Sequence, residues 1–442
     1  MVAYYPTRFR WVFCQLETLR QCLPQSVLRT LNELPESLDE TYERLITNIR
    51  RANQVHAYRM FQCLTVAIRP LRVAELAELL AFDFDVAEEE MPKLKPNWRW
   101  EDHEQAILST CSSLVTVVPD DESPIVQFSH FSVKEFLMSD RLALSRREIS
   151  QYHISLEDAH ILLTRASLAV LLRDPDSDVN IHSDSAPLAK YAAEHWVTHA
   201  RVKNVASRVR DGMECLFDPD KPYFEAWIRL HDIDSFVYSS EPPDPKPGAK
   251  PLYYAALGGL HEQVEELTLK YPQCASARGG KCGTALHSAS FSGHLQVVRY
   301  LLRHGVDVNV RNTELSTSLL LASFEGHLDV VQSLLDHGAD LDSADVFQNS
   351  PLILATVSQH VNVVRLLLEH NADVNFKKNT GQTALHLATQ SSIMRVLLEH
   401  GADVDVEDND GRTPLQLSLD RDQPEVTQLL SEYSTTKRML RE

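Results

Sequence analysis

Between residues 283 and 405 the chain spells four variants of one phrase: a T-x-L-H start, a G-H break, a V-V-x-x-L-L run and a G-A-D-V-N close. Thr284, Thr317, Ser350 and Thr383 stand 33 residues apart, as do Leu286, Leu319, Leu352 and Leu385, and likewise Gly305, Gly338 and Asn371. The register then shortens: Gly401 follows Asn371 by 30, so about three residues are lost around Ser391 and Ser392. Such a period means that one small unit recurs, that no unit buries its apolar face alone, and that neighbours must stack into a continuous core.

Each phrase has a local physical meaning. Within 283–302, Leu286 and Ala289 share one helical face, Gly293-His294 breaks the helix, and Val297, Val298, Leu301 and Leu302 form a second apolar face. The result is two short antiparallel helices. Gly305 suits the left-handed residue that ends the second helix, and Asp307-Val308-Asn309 leads through a polar turn to the next start. Small residues at Ala289, Ala322, Ala355 and Ala388 let helices approach closely, and Thr284 and His287 are placed to hydrogen-bond neighbouring backbone. A 33-residue period with these starts resembles the ankyrin family; the resemblance implies a solenoid whose polar turns are projecting β-hairpin fingers. The template extends back to 250–264, with Leu252, Ala255 and Gly259 in register, and forward to 412–430, where Thr413-Pro414-Leu415 remains but Gln416 replaces His. Six units follow, at 250–282, 283–315, 316–348, 349–381, 382–411 and a cap at 412–431, before a tail at 432–442.

The balance of 62 acidic against 43 basic residues gives a net charge of -19. That disfavours nucleic acid or an anionic membrane surface, which are held by clustered Lys and Arg, and favours a basic or neutral protein partner. No run approaches eighteen apolar residues, so no membrane span is expected. The N-terminal MVAYYPTRFRWVF has no apolar leader core, and a cytoplasmic location is expected. The seven cysteines (Cys14, Cys22, Cys63, Cys111, Cys215, Cys274 and Cys282) form no C-x-x-C pair, which suggests small core residues in place of disulfides or a zinc site.

Before the repeats, apolar spacing predicts helices over 8–20, 26–33, 36–49, 57–66, 73–80 and 101–113. Two β-rich runs at 114–118 and 125–128, separated by Pro119-Asp120-Asp121-Glu122-Ser123, predict a hairpin, and another helix begins at His130. Helices, a hairpin and a further helix describe a winged helix. RFRWVFCQLETLRQC, LPESLDETYERL, RPLRVAELAELL and HFSVKEFL resemble the region after the nucleotide-binding core of fungal NACHT-type (STAND) signalling NTPases, over residues 1–145. In that family the winged helix is a hinge and brake on a nucleotide switch, and ankyrin repeats often form the sensor end. The resemblance implies a core before Arg8, where the sequence has seven residues, and no G-x-x-x-x-G-K-[ST] loop occurs. The nearest match, Gly279-Gly280-Lys281-Cys282-Gly283-Thr284, lacks the upstream Gly and places Cys after Lys. Two readings stay open: a chain that works without that core, and a truncated fragment of a NACHT-ankyrin signalling NTPase.

Helices expected over 155–173, 187–200, 205–217 and 222–231 build a connecting domain at 146–240 around Trp196 and Trp227, with an acidic loop at 174–185. A Pro-rich linker at 241–249 follows. The expected fold is mainly α: a winged-helix-like domain with a small β-hairpin, a helical connecting domain, then an ankyrin solenoid.

Catalytic patterns are missing. The helix at 101–113 offers Glu101, Asp102 and Glu104 but no Lys or Arg, and the wing tip adds Asp120, Asp121 and Glu122, so both winged-helix surfaces repel phosphate. His261 to Glu265 half-matches a zinc-protease helix but lacks its second His. The series His294, His327, His360 and His304, His337, His370, His400 belong to separate repeats and suit packing or capping. There is no G-x-S-x-G or dinucleotide loop, so no enzyme, cofactor or metal is expected. The expected function is a non-enzymatic interaction module in NLR-like signalling or scaffolding. Its face, read from positions the repeat leaves unconstrained, comprises Arg311, Thr313, Glu314 and Ser316 in one finger, Val346, Phe347 and Asn349 in the next, and Lys377, Asn379, Thr380 and Gln382 in the third. First helices add Phe291, Ser292, Phe324, Glu325, Val357, Ser358, Gln390 and Ser391. Aromatics at unconstrained positions suit interface anchors, which singles out Phe291, Phe324 and Phe347.

Overall fold

The computed structural model describes residues 37–86, 90–111, 113–173, 186–234 and 250–439. The helices expected over 8–20 and 26–33, the loop at 174–185 and the linker at 241–249 lie outside the described residues, as do Cys14 and Cys22. The chain divides between His231 and Asp232 into two compact units.

In the first unit, α1 (Leu38–Thr47) starts where the Ser37 hydroxyl accepts the Glu40 N–H at 3.2 Å, with Asp39 and Glu40 in its first turn. Then come α2 (Gln54–Val66), β1 (Leu71–Arg72), α3 (Val73–Leu80), the paired β2 (Phe82–Asp83) and β3 (Lys93–Leu94), α4 (His103–Cys111), β4 (Val115–Val118), β5 (Ile125–Phe128) and α5 (Phe131–Leu137). The α4 helix starts later than its apolar spacing predicts, because the Asp102 carboxylate takes the Gln105 N–H at 2.9 Å and caps it. β4 and β5 form the expected hairpin, with Val117 opposite Val126. β1 joins them antiparallel, in the order β1-β5-β4. A winged helix with a three-stranded wing results, and an Arg72–Glu122 ion pair ties β1 to the wing loop. β1 and the β2–β3 pair were not expected, because two-residue strands carry no readable alternation.

The helical part of this unit contains α6 (Leu156–Leu171), α7 (Leu188–Ala200), α8 (Arg210–Phe217) and α9 (Tyr223–Leu230). The helix expected over 205–217 is broken: Val209, at φ -123°, separates one turn at Val205–Arg208 from α8. Trp196 and Trp227 are fully buried and meet edge to face at 5.2 Å, and Trp227 Nε1–H donates to the Ala193 carbonyl at 3.0 Å.

One buried carboxylate knits this unit together. Glu78 of α3 accepts Arg99 and Arg173 on Oε1, each at 3.0 Å, while its Oε2 accepts the Leu188 N–H at the start of α7 at 2.8 Å. A buried charge is tolerated when its lone pairs are filled in this way.

The second unit is a run of helix pairs: α10 (Pro251–Leu257) with α11 (His261–Lys270), α12 (Ala285–Phe291) with α13 (Leu295–Arg303), and α14 (Ser318–Glu325) with α15 (Leu328–Asp336). It continues with α16 (Pro351–Val357) and α17 (Val361–Glu369), α18 (Ala384–Leu387) and α19 (Ser391–Glu399), then α20 (Pro414–Asp420) and α21 (Pro424–Met439). Each helix packs on its counterpart in the next pair, forming the ankyrin stack. The shortened register has a local cause. α18 has 4 residues against 7 or 8 in the other first helices, and Ala388 turns extended at its end. At the N-terminal edge, Asp234 accepts the Tyr253 hydroxyl and the Lys281 N–H, each at 2.6 Å, and Asp232 accepts the Tyr254 hydroxyl at 2.9 Å. At the other edge α21 buries Val426 and Leu430.

Removing the shared carboxylate tests its role. Glu78→Ala leaves two arginines and an N–H without their acceptor, and urea unfolding is expected to show a loss of about 3 kcal/mol.

Candidate partner-binding face

Every repeat after the first, which opens on Lys250, starts on a hydroxyl cap. Thr317 and Ser350 accept the N–H groups of Leu320 and Ile353. At Thr284 and Thr383 a histidine completes the cap. His287 Nδ1 accepts the Thr284 N–H at 3.2 Å and its hydroxyl at 2.8 Å, while Nε2 lies 3.0 Å from the Ser316 carbonyl. A carbonyl only accepts, so Nε2 carries the proton and the ring is neutral. His386 repeats the arrangement with Thr383 and the Arg412 carbonyl.

The G-H break has a separate role, because its histidine bonds back to the preceding repeat. His294, His327 and His360 donate from Nε2 to the carbonyls of Leu257, Phe291 and Phe324, at 2.9, 2.9 and 3.0 Å. Each ring lies over the glycine of the preceding unit, Gly259, Gly293 or Gly326. All three glycines have positive φ, and any Cβ there would meet the ring closer than 3.0 Å. The next such position is Gln359, at φ 66°. No histidine follows it, because the shortened repeat starts its second helix at Ser391, and Gln390 instead donates to the Gln359 side chain at 2.6 Å. The third series caps helix ends: His304, His337 and His400 donate from Nδ1 to the carbonyls four residues earlier, each at 2.8 Å.

The fingers are tight turns. Backbone bonds close them from Asn312 to Ser316, Asp345 to Asn349, Lys378 to Gln382 and Asp408 to Arg412, and no strand forms there among the described residues. The closing bond and the left-handed fourth residue are those of a three-residue hairpin loop, so the fingers implied by the family resemblance are present as turns from which no longer strand ladder extends among the described residues. Asn312 and Asp345 fix their turns by accepting two following N–H groups each, from Glu314 and Ser316 and from Phe347 and Asn349. Successive fingers are laced together: Val346 N–H donates to the Glu314 carbonyl, Asn379 to Phe347 and Asn409 to Thr380.

Of the positions singled out by repeat logic, Arg311, Thr313, Glu314, Val346, Phe347, Val357, Lys377, Asn379 and Thr380 are exposed. Phe291, Ser292, Phe324, Glu325, Asn349, Ser358, Gln382, Gln390 and Ser391 are half-buried. Ser316 does not lie on the surface. It is 6% exposed, because its N–H goes to Asn312 Oδ1 and its carbonyl accepts the Asn312 N–H and the His287 ring. Leu315 and Gln348 were missed. They occupy the same finger position as Gly381 and Gly411, and all four have positive φ; their alignment with Gly381 in the 33-residue register was the available signal.

Other chemistry is weakly supported. The phosphate-loop lookalike is a turn in which Gly279 N–H bonds the Gly283 carbonyl and Lys281 N–H bonds the Asp234 carboxylate, placing a negative charge where a phosphate would need to lie. His261 lies 3.5 Å from Glu265 on the same helix. At the wing, Asp120, Asp121 and Glu122 are exposed, as are Glu101, Asp102 and Glu104 near α4. Among the described residues no group of three metal-ligating side chains is found, and no helix is long and apolar enough to cross a membrane.

Comparison with known proteins bears on both units. Ankyrin repeats match in three copies, over residues 231–312, 312–378 and 373–439, and residues 42–147 match the winged helix domain of GPI inositol-deacylase. A protein of Monascus ruber described as azaphilone pigments biosynthesis cluster protein L is 30% identical over 290 residues, covering 61% of this chain and 60% of that protein. The match thus spans less than two thirds of that relative's length. The chain carries ankyrin repeats and a NACHT-related winged helix.

Two outcomes follow from these sites. Burial lowers the His287 pKa to about 4. In the first unit burial, then the neighbouring His160 and His195, lower that of His199 to about 3, where its nitrogens meet His160 at 2.8 Å and the Tyr191 hydroxyl at 2.9 Å. Both imidazoles are neutral when folded and charge more readily when unfolded. Stability is therefore full above pH ~6.5 and falls as pH drops toward these values, by about 1.4 kcal/mol per pH unit per imidazole. Urea midpoints between about pH 7 and 5 should fall accordingly. Melting with ATP and magnesium is expected to show no shift, since nothing at 279–284 frees N–H groups for phosphate.

Proposed function

We propose that this chain is a non-catalytic protein-interaction module, in which the exposed row of ankyrin fingers and first-helix ends receives a protein partner. The observation that carries this reading is the division of labour within each repeat. The Thr and His caps, the G-H histidines and the apolar helix faces are consumed by stacking, and Asn379 and Thr380 bond the Val346 carbonyl and the Gln382 side chain, whereas the exposed side chains of Thr313, Glu314, Val346, Phe347 and Val357 are used in no such bond among the described residues. A laced row of fingers places those side chains at fixed spacing, which lowers the entropy cost of recognition. The winged helix and the helices behind it would transmit or restrain that event, in a signalling or scaffolding role. Its resemblance to NACHT-related proteins supports this. The five described cysteines are all free thiols, which suits the reducing cytoplasm.

Affinity capture with the full chain as bait tests the face. Phe324→Ala with Phe347→Ala should reduce recovery of the specific partner at least about tenfold, while the melting temperature changes little. Equal recovery by the double variant would show that the partner binds elsewhere.

A further inference from the structure

We propose, on the basis of the interaction reading above, that the centre of this face takes a basic polypeptide segment presenting a large apolar side chain, seated on Leu315, Val346, Phe347 and Val357. The first observation is backbone geometry. Leu315 has φ 60° in the finger position that Gly381 and Gly411 fill at φ 74° and 73°. A left-handed conformation disfavours a bulky residue with a Cβ, so the turn itself favours glycine. The leucine is nonetheless held there 42% exposed. Core packing does not account for so much apolar surface left in water.

The second observation is clustering. Val346 is 44% exposed, Phe347 65% and Val357 50%. Val346 is bonded through its N–H to the turn that carries Leu315. All four residues fall within two adjoining fingers and the first helix beside them. The finger tips that follow are polar, with Asn379, Thr380 and Gly381, then Asn409, Asp410 and Gly411. An apolar centre with a polar edge is the layout of a recognition surface.

The third observation identifies the occupant. Between residues 312 and 364 the sequence holds seven carboxylates and no lysine or arginine; the neighbouring finger cations are Arg311 at the edge of the first finger and Lys377 and Lys378 in the third. The apolar cluster lies within that span. Glu314 sits beside Leu315 in the same turn, and neither Glu314 nor Glu325 is held in an ion pair among the described residues. An acidic segment or a nucleic acid would be repelled, whereas a segment with Lys or Arg flanking a Leu, Phe or Trp gains both steering and an anchor.

A phage-displayed library of random twelve-residue peptides, panned against the full chain, tests the proposal. Enriched sequences should combine basic residues with a large apolar residue. A labelled peptide from the selection should bind the Leu315→Gly and Phe347→Ser chains at least about tenfold more weakly. Leu315→Gly removes the steric penalty, so that chain should melt no lower than the parent. Glu314→Gln with Glu325→Gln should weaken binding and flatten its salt dependence. Acidic or wholly polar consensus sequences, no enrichment, binding indifferent to Leu315 and Phe347, or a Leu315→Gly chain that melts lower would each overturn the proposal. A partner captured through other finger residues would overturn it while leaving the wider interaction reading intact; capture lost in the Phe324 and Phe347 double variant but retained in Leu315→Gly would do the same.

Discussion

The hydrogen bond from one repeat's histidine to the carbonyl ending the previous repeat's first helix is the contact on which the stack depends. It joins His294 to Leu257, His327 to Phe291 and His360 to Phe324. Three requirements meet at this point. The helix end has carbonyls without an intrahelical partner, the chain must reverse, and the next unit must approach closely. Glycine with positive φ permits the reversal and leaves room for the ring, while the ring nitrogen satisfies the carbonyl. The pairing also explains where the rule lapses. At Gln359 the following repeat supplies no histidine, and a side chain is tolerated at φ 66°.

A different device holds the first unit. There the elements differ in type and length, so no repeated contact can serve, and Glu78 gathers partners from three separate segments. A second polar cluster lies nearby: Arg69 forks onto Glu75 at 2.6 and 2.8 Å and packs over the Tyr191 ring, whose hydroxyl also accepts the Ile68 N–H. Buried polar groups of this kind contribute through complete satisfaction, and losing one partner costs more than the pair contributes. The winged helix and the helices that follow it are therefore coupled by directional contacts, whereas the Trp196 and Trp227 core packs among the later helices themselves.

The helix pairs, the β4–β5 hairpin and the tryptophan core were legible because each rests on a periodic or compositional signal: the 33-residue register, two β-rich runs either side of a polar turn, and large aromatics amid apolar runs. What escaped has no period. Two-residue strands such as β1 cannot show alternation, and the break at Val209 interrupts a run whose apolar spacing continues through it. The groups that donate to Glu78 come from residues 21 to 110 positions away. Many of the positions chosen by subtraction are exposed, since side chains unnecessary to stacking are left on the surface and free to vary in chemistry. Ser316 was misplaced by that logic, because its backbone, which carries no sequence signature, is what the turn and His287 use. Leu315 was missed for the converse reason. It stands in a position whose backbone favours glycine, and subtraction treats such a position as structural.

On the proposed reading, that exception illustrates how a repeat array can separate stability from recognition. Stacking fixes the backbone of every finger through bonds that do not depend on its tip, such as Asn312 and Asp345 accepting the N–H groups that follow them. A tip residue can then depart from the local optimum at a cost of about 1 to 3 kcal/mol, and the loss is borne by the neighbouring pairs. In a small independent domain a loss of that size would be a large fraction of the net stability. In a laced array it is confined to one turn, so strained or apolar side chains can accumulate on a single face while the helices behind them keep the same geometry. On the proposed reading, the acidic span around that face would add long-range selectivity for a basic partner without altering the stack, because exposed charges steer an approaching molecule through the solvent.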